Sequence, residues 1–445
     1  MTRAALVCLW LCGAATASAQ PAPAAGPLPP RLTLAEAIAR ATATSHRLGE
    51  LVARQSTATA VAGQRGAAQN PLVSTQLGYQ RTNHVDPFGF VTATGPKLIY
   101  PDVPDNYRSR VELQWPIYTG GRLAALERAA RAEVTATGHE LASARADLRL
   151  EVTRAFWALV TSREAARVVG EAVKRVDAQL ADVRSRFESG FVPPNDVSTV
   201  EAQRARQQFL FIEAGNAASL AEADLARLID APDGARIELD AALEDADAMP
   251  AQAPSVGSLV VMARDARADR AAIASRVDAA LERETAAAAG GRPTISLLSG
   301  ADYARPNPRI FPREEAWKPS WDVGVTFSWA AWDGGRTRWE VAEAEGVTAA
   351  TRERLAEFDS QLTLEVRQRT LDLAAARAQL ETARQEVVSA TEARRVVQER
   401  FSAGVATTTD LLDAQVALLQ ADLDRTRALA EIRLALAGLD RAVGR

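Results

Sequence analysis

Asp410 and Asp413 stand three residues apart, just after the segment Arg400-Phe401-Ser402-Ala403-Gly404-Val405-Ala406-Thr407-Thr408-Thr409. On a helix that spacing puts both carboxylates on one face. Gathered around an axis by several subunits, such pairs repel one another, attract cations and can filter an entrance. An Asp410 helix cap followed by a solvated Asp413 explains the same two residues without any gate. Other chemistry-bearing constellations are scarce. His46, His84 and His139 stand apart, at no spacing suited to metal ligands. Cys8 and Cys12 are the only cysteines, and no Ser/His/Asp order, phosphate loop or redox pair accompanies them. The residues point to no enzyme, no cofactor and no metal.

The amino terminus accounts for both cysteines. Arg3, an apolar run from Ala4 to Leu11 and Ala17-Ser18-Ala19 read as a cleavable signal peptide over residues 1–19. Trp10-Leu11 ahead of Cys12 are too bulky for a lipoprotein anchor. Removing Arg3 leaves 51 Lys and Arg against 56 Asp and Glu, a net charge of −5. That balance does not suit nucleic acid. A flexible Pro-rich leader is expected over 20–31. Beyond it no run of 18 or more apolar residues occurs, so a membrane span would have to be a β-barrel.

The acidic segment is one half of a duplication. Arg186-Phe187-Glu188-Ser189-Gly190 matches Arg400-Phe401-Ser402-Ala403-Gly404, and Asp196 matches Asp410, at an offset of 214. The same offset aligns Trp115 with Trp329, Gly120-Gly121-Arg122 with Gly334-Gly335-Arg336, and Leu150-Glu151-Val152 with Leu364-Glu365-Val366. Upstream, Asn70-Pro71 aligns with Arg292-Pro293 at offset 222, so the intervening loops differ in length. The expected organisation is a first repeat over 32–240, a linker over 241–255 and a second repeat over 256–445.

Each repeat predicts the same elements. A helix (33–69 or 256–289) precedes a strand (72–80 or 294–303), a Pro-rich loop (81–105 or 304–320) and a return strand (108–118 or 321–332). In the return strands Val111, Leu113, Trp115 and Ile117, and then Val323, Val325, Phe327 and Trp329, occupy alternate positions. Each strand has about the 9–11 residues that cross a bilayer as β-structure. The glycine pairs Gly120-Gly121 and Gly334-Gly335 then turn the chain into proline-free stretches of 68 residues. As helices these are roughly 100 Å long. Val169, Val173, Val176, Leu180, Val183 and Phe187 form a heptad seam along the first. A shorter helix, 196–230 in the first copy, returns from each tip, with Asp196 and Asp410 expected as its N-caps. Laid end to end, 33–69 and 196–230 would match the length of one long helix. Tyr79, Tyr107, Trp115, Tyr118, Trp321, Trp329 and Trp332, near the strand ends, suit either interfacial girdles or contacts between subunits.

Four strands cannot close a barrel, and open edges are intolerable in lipid, so several chains must share one. The residues alone allow dimers, trimers or tetramers. The order of Leu32-Thr33-Leu34-Ala35-Glu36-Ala37-Ile38, the strand pairs, the Gly-Gly-Arg turns and the Arg-Phe-x-x-Gly tips resembles the TolC-like outer-membrane efflux protein family, from Leu32 to about Gly438. The resemblance implies a mainly α fold with a β-barrel portion. Duplicated coiled-coil helices would form an α-barrel, and four transmembrane strands per chain would complete a shared trimeric 12-strand β-barrel.

By the same resemblance the chain is the outer-membrane exit duct of a tripartite pump or type I secretion system, extending into the periplasm. Its partners would be two further copies, a periplasmic adaptor (membrane fusion) protein, an inner-membrane pump of RND, ABC or MFS type, and outer-membrane lipid. Gly190, Phe191, Val192, Gly404, Val405 and Ala406 would be the tips that dock the adaptor. Asp410 and Asp413 would face the pore at its periplasmic gate. Some relatives carry a basic residue a few positions before the first aspartate, where this chain has Ala406 and Thr407. A link from Asp196 to Arg186 or Arg400 is the expected substitute. A pore-less periplasmic coiled-coil scaffold is the alternative reading, and the aromatic strands and signal peptide weigh against it.

Overall fold

The computed structural model describes residues 29–93, 95–232, 234–241, 243 and 255–445. The signal peptide (1–19), with Cys8 and Cys12, lies outside them, as do most of the leader and most of the 241–255 linker.

The first repeat contains α1 (Leu34–Thr44), α2 (His46–Ala67), β1 (Leu72–Arg81), β2 (Phe88–Thr92), β3 (Gly95–Tyr100), β4 (Asp105–Tyr118), α3 (Arg122–Glu188) and α4 (Pro194–Leu228). The second contains α5 (Val256–Ala266), α6 (Ala268–Ala288), β5 (Thr294–Arg305), β6 (Lys318–Ser328), α7 (Arg336–Ser402) and α8 (Thr408–Ala442). Both long helices have 67 residues and both return helices have 35. No helix among the described residues is long and apolar enough to cross a membrane. Two compact units, one rich in tip residues and one containing the sheet, each draw on both repeats.

Three expectations need correction. The leading helices are each broken, at Ser45 (ψ 113°) and at Arg267 (ψ 115°). The second break has a clear cause. Arg267 is buried and divides its guanidinium among Asp269 (2.6 Å), Glu365 (2.9 Å) and the Ala442 carbonyl (3.3 Å), capping the end of α8. The break also lets Leu259 and Ala263 of α5 pack on Leu362 and Val366 of α7 and Leu439 of α8. In the first copy Arg40 of α1 caps α4 instead, donating to the Ile229 carbonyl at 2.8 Å. The loop expected at 81–105 contains the β2–β3 hairpin, because Phe88-Gly89-Phe90-Val91 and Lys97-Leu98-Ile99-Tyr100 are strand formers on either side of Gly95 (φ +120°).

Finally, β6 stops at Ser328, short of Trp332. Asp333 pulls the chain into the next helix, accepting from the Gly335 N–H (2.9 Å) and the Thr337 N–H (2.8 Å). The hydrogen bonds from the Thr337 hydroxyl and backbone lower the Asp333 pKa to about 2. A depressed carboxylate pKa stabilises the fold above its unfolded value and loses that effect as pH falls through the folded value. Asp333→Ala is therefore expected to melt at lower temperature than the parent at pH 7. The gap should close between pH 3.8 and about 2. A pH-independent gap in thermal midpoints would refute this.

The four-stranded sheet runs β1-β4-β5-β6, antiparallel throughout. Its register sorts the residues by polarity. Val73, Leu113, Ser299 and Val323 form one cross-strand row, and Thr75, Val111, Ala301 and Trp321 the next. The opposite face carries Ser74, Glu112, Gly300 and Asp322 in one row. The apolar face is exposed within the chain, with Leu77 at 80% and Val325 at 66%. Such a face is stable only against lipid or another apolar surface. Tyr79, Tyr107, Trp317 and Tyr303 cluster at one end of it, with centroids 5.0–5.9 Å apart. At the other end Trp115 and Trp329 donate to the Gln69 and Gly291 carbonyls (3.2 and 3.1 Å), so each copy ties its return strand to the preceding helix end.

Candidate functional site

The two helical hairpin tips are built alike. Gly190 (φ +75°) and Gly404 (φ +77°) end α3 and α7 in the left-handed region, where a side chain is strained. In each the next N–H reaches back five residues: Phe191 to the Arg186 carbonyl at 2.9 Å, and Val405 to the Arg400 carbonyl at 2.8 Å. Phe191 and Val405 project into solvent, whereas Val192 and Ala406 turn inward against the core.

The N-caps differ from expectation. Asp196 and Asp410 both lie inside the first turn, not at the cap. Pro193 occupies the cap of α4, followed by Pro194 at the first helical position. At α8 the cap is Thr407. Its hydroxyl accepts from the Asp410 N–H (3.1 Å), and its own N–H donates back to the Asp410 carboxylate (2.9 Å). This is a reciprocal capping box with aspartate in the role usually taken by glutamate. The hydrogen bonds from the Thr407 backbone and then its hydroxyl hold the Asp410 pKa below the ordinary carboxylate value. Asp410 therefore stays ionised at more acidic pH than a free aspartate.

Asp410 and Asp413 are both exposed on one face of α8, while Leu411, Leu412 and Gln415 are buried on another. The pair thus stands clear of the packing face, whatever its partner.

The expected link from Asp196 to an arginine does not form. Asp196 instead accepts from the Thr408 hydroxyl at 2.8 Å, joining the first hairpin to the second. Arg186 pairs with Asp182 on its own helix (3.0 Å). It also stacks on Phe401, with Cζ 4.6 Å from the ring centroid, and donates to the Phe401 carbonyl at 3.4 Å. Phe401 is buried in a cluster with Val176, Leu180 and Val183 of α3, Val200 of α4, and Leu411 and Leu412 of α8. Its repeat counterpart Phe187, the last residue of the expected seam, is 43% exposed. Thr408 and Phe401 carried no distinguishing signal in the sequence, because both tips share the same motif.

The strand-to-helix glycines have a plain structural role. Gly120 (φ +64°), Gly121 (φ +91°), Gly334 (φ +72°) and Gly335 (φ +87°) all need positive φ. At Gly120 a Cβ would also lie 2.7 Å from the Arg292 Cβ, and Arg292 donates to the Gly120 carbonyl at 2.8 Å. Of the histidines, His84 pairs with Asp102 (2.6 Å). Among the described residues no three His, Cys, Asp or Glu side chains gather as metal ligands.

Known proteins supply the context for this geometry. The family model for outer membrane efflux proteins matches residues 37–231 and 259–445. The fold is similar to a membrane protein from Pseudomonas aeruginosa (19% identity, 92% of each chain covered, TM-score 0.78). It is equally similar to the outer membrane protein VceC of Vibrio cholerae (19% identity, 92% of this chain and 96% of that one, TM-score 0.77). The Neisseria gonorrhoeae MtrE outer membrane channel, solved in its open state, aligns at 16% identity over 92% of this chain and 88% of that one (TM-score 0.77). The comparison with curated proteins finds no match. With both repeats covered by the family model, this chain belongs to the outer membrane efflux protein family, as a passive channel of the outer membrane that extends into the periplasm.

Proposed function

We propose that the channel is the exit duct of a tripartite efflux pump or type I secretion system, working as a homotrimer. The sheet carries this reading: four strands, one apolar face, and unpaired edges at β1 and β6. Pairing β6 of one copy with β1 of the next satisfies both edges and closes a barrel whose apolar face meets lipid. From Tyr107 to Ile117 the β4 strand covers about 34 Å, or about 26 Å along the normal at a 40° tilt. That height agrees with an outer-membrane apolar band of about 25 Å.

The helices support the same ring. Near the tips Val183 of α3 shares a buried cluster with Val200 of α4, and Val169 of α3 shares another with Leu419 of α8. This leaves α4 and α7 outermost. Phe209, Ile212 and Leu220 on α4, and Val388 and Val396 on α7, are exposed there. An α4 edge against a neighbour's α7 edge is head-to-tail packing, which gives a ring when the rotation per subunit closes. The number three rests on the family resemblance.

At the tips, exposed Phe191 and Val405 suit docking of a periplasmic adaptor, with the inner-membrane pump beyond it. Six carboxylates from Asp410 and Asp413 of three copies would form a cation-attracting gate. The test is single-channel recording in planar bilayers. Asp410→Ala with Asp413→Ala should weaken block by divalent or trivalent cations and change conductance. Thr407→Ala, which removes the cap and costs about 1 kcal/mol of helix stability, should leave cation block in place. Unchanged cation block in the double variant sinks the gate.

A further inference from the structure

The polar face of the sheet carries a strap of paired charges across three strands. Asp302 on β5 accepts from Arg108 Nε at 2.7 Å and from Arg110 Nη1 at 2.6 Å, both on β4. Arg110 continues to Asp322 on β6 (3.2 Å), and Asp322 meets Arg309 from the β5–β6 loop at 2.8 Å. The strap is built into the sheet. Arg110 lies across Gly300, where a Cβ would come 2.6 Å from the guanidinium carbon. Gly300 on this face therefore makes room for the arginine.

The charges are graded in depth. Asp302 and Arg110 are buried or nearly so, at 4% and 13% side-chain exposure, while Arg108 is 52% exposed. Arg108 uses only Nε, and its two terminal nitrogens have no partner among the described residues. Arg309, by contrast, is also held by the Trp321 carbonyl at 3.1 Å. Asp302 is neutralised by two arginines, so the free guanidinium edge of Arg108 is the outermost charge of the strap. Glu112 is the nearest other carboxylate on the same face of β4, Asp105 lying on the opposite face. It sits 3.9 Å from Arg110 Nε but four residues from Arg108. Four strand residues span about 14 Å, beyond the screening length of about 8 Å in physiological salt.

We propose that Arg108, held by the Asp302–Arg110–Asp322 strap, is an oxyanion-contact site on the inner wall of the pore at the level of the outer membrane. It serves passing solutes that carry carboxylate or phosphate groups. This rests on the reading that the sheet closes into a shared barrel with its polar face inward. Paired terminal nitrogens of a fixed guanidinium fit two oxygens of such a group at once. Water-filled pores with low-dielectric walls focus this field, so the site acts on ions in transit. It is opposite in sign to the carboxylates of Asp410 and Asp413.

The test uses the full-length channel in planar bilayers, with tripolyphosphate added to the chamber facing the extracellular mouth. Tripolyphosphate should give concentration-dependent block of single-channel current. Arg108→Gln should raise the half-blocking concentration at least ten-fold, and Asp410→Ala with Asp413→Ala should leave it unchanged. Heat-modifiable gel mobility checks that each variant assembles. Arg108→Lys keeps the charge without the fork and should raise that concentration about three-fold. It carries the test if Arg108→Gln does not assemble. A conducting channel that tripolyphosphate does not block, or block that survives loss of the Arg108 guanidinium, overturns the proposal. A purified assembly with no conductance overturns the pore reading beneath it as well.

Discussion

Val323→Arg is expected to abolish heat-resistant assembly and outer-membrane insertion, whereas Ser74→Arg is tolerated. Val323 lies in the middle cross-strand row of the apolar face and is 61% exposed within one chain. An arginine at the midplane of a lipid-facing strand costs about 2–4 kcal/mol, and each copy in a shared barrel incurs it. Ser74 lies on the other face, directly across from Glu112, where an added guanidinium meets water and a carboxylate. Membrane fractionation and gel mobility with and without heating read both variants. Wild-type assembly of Val323→Arg, or equal damage from the two substitutions, means the faces are assigned the wrong way round.

The second large effect is expected at the tips. Phe401→Ala empties the centre of the cluster that joins both hairpins, and truncating a buried phenylalanine typically costs about 3–5 kcal/mol. The Arg186 guanidinium loses its ring and the tip packing loosens around the remaining Thr408–Asp196 hydrogen bond. Hydrogen exchange should accelerate around residues 176–200 and 397–412, and single-channel conductance should rise. Phe187→Ala, at the equivalent place in the first repeat, removes a half-exposed ring and should change exchange little. Equal responses from the two phenylalanines would show that the hairpins are not joined through Phe401.

These two experiments probe features of different legibility. The duplicated elements could be read directly because their signals are local and periodic. Alternation every two residues marks strands, a proline-free heptad pattern marks long helices, and Gly-Gly or a lone glycine marks the positive-φ turns. The 67-residue helices, the four strands and the left-handed glycines at 120, 121, 190, 334, 335 and 404 are present as those patterns require. The breaks at Ser45 and Arg267 were not legible. The second places Arg267 against the end of α8, 175 residues away, and no local periodicity encodes that contact. The β2–β3 hairpin was obscured by four prolines between 87 and 104, which read as loop although only Pro96 falls inside a strand.

The candidate site divides in the same way. Residue type and spacing placed Asp410 and Asp413 on one helix face and put a glycine stop at each tip. They could not tell a capping aspartate from one inside the first turn, because that depends on whether Thr407 or Asp410 adopts helical backbone angles. They also treated Arg186-Phe187 and Arg400-Phe401 as equals. Only tertiary packing separated them, burying Phe401 under Arg186 and leaving Phe187 in solvent, since the two hairpins present different sides to one another. The strap of Arg108, Arg110, Asp302 and Asp322 has the same origin. Its members are up to 214 residues apart, and strand register alone brings them together. Sequence by itself determined the elements, the duplication and the need for partners, because these follow from local pattern and unsatisfied edges. Which side chains meet was decided by the tertiary structure, because contacts across the repeats depend on register and on which helix faces are turned inward.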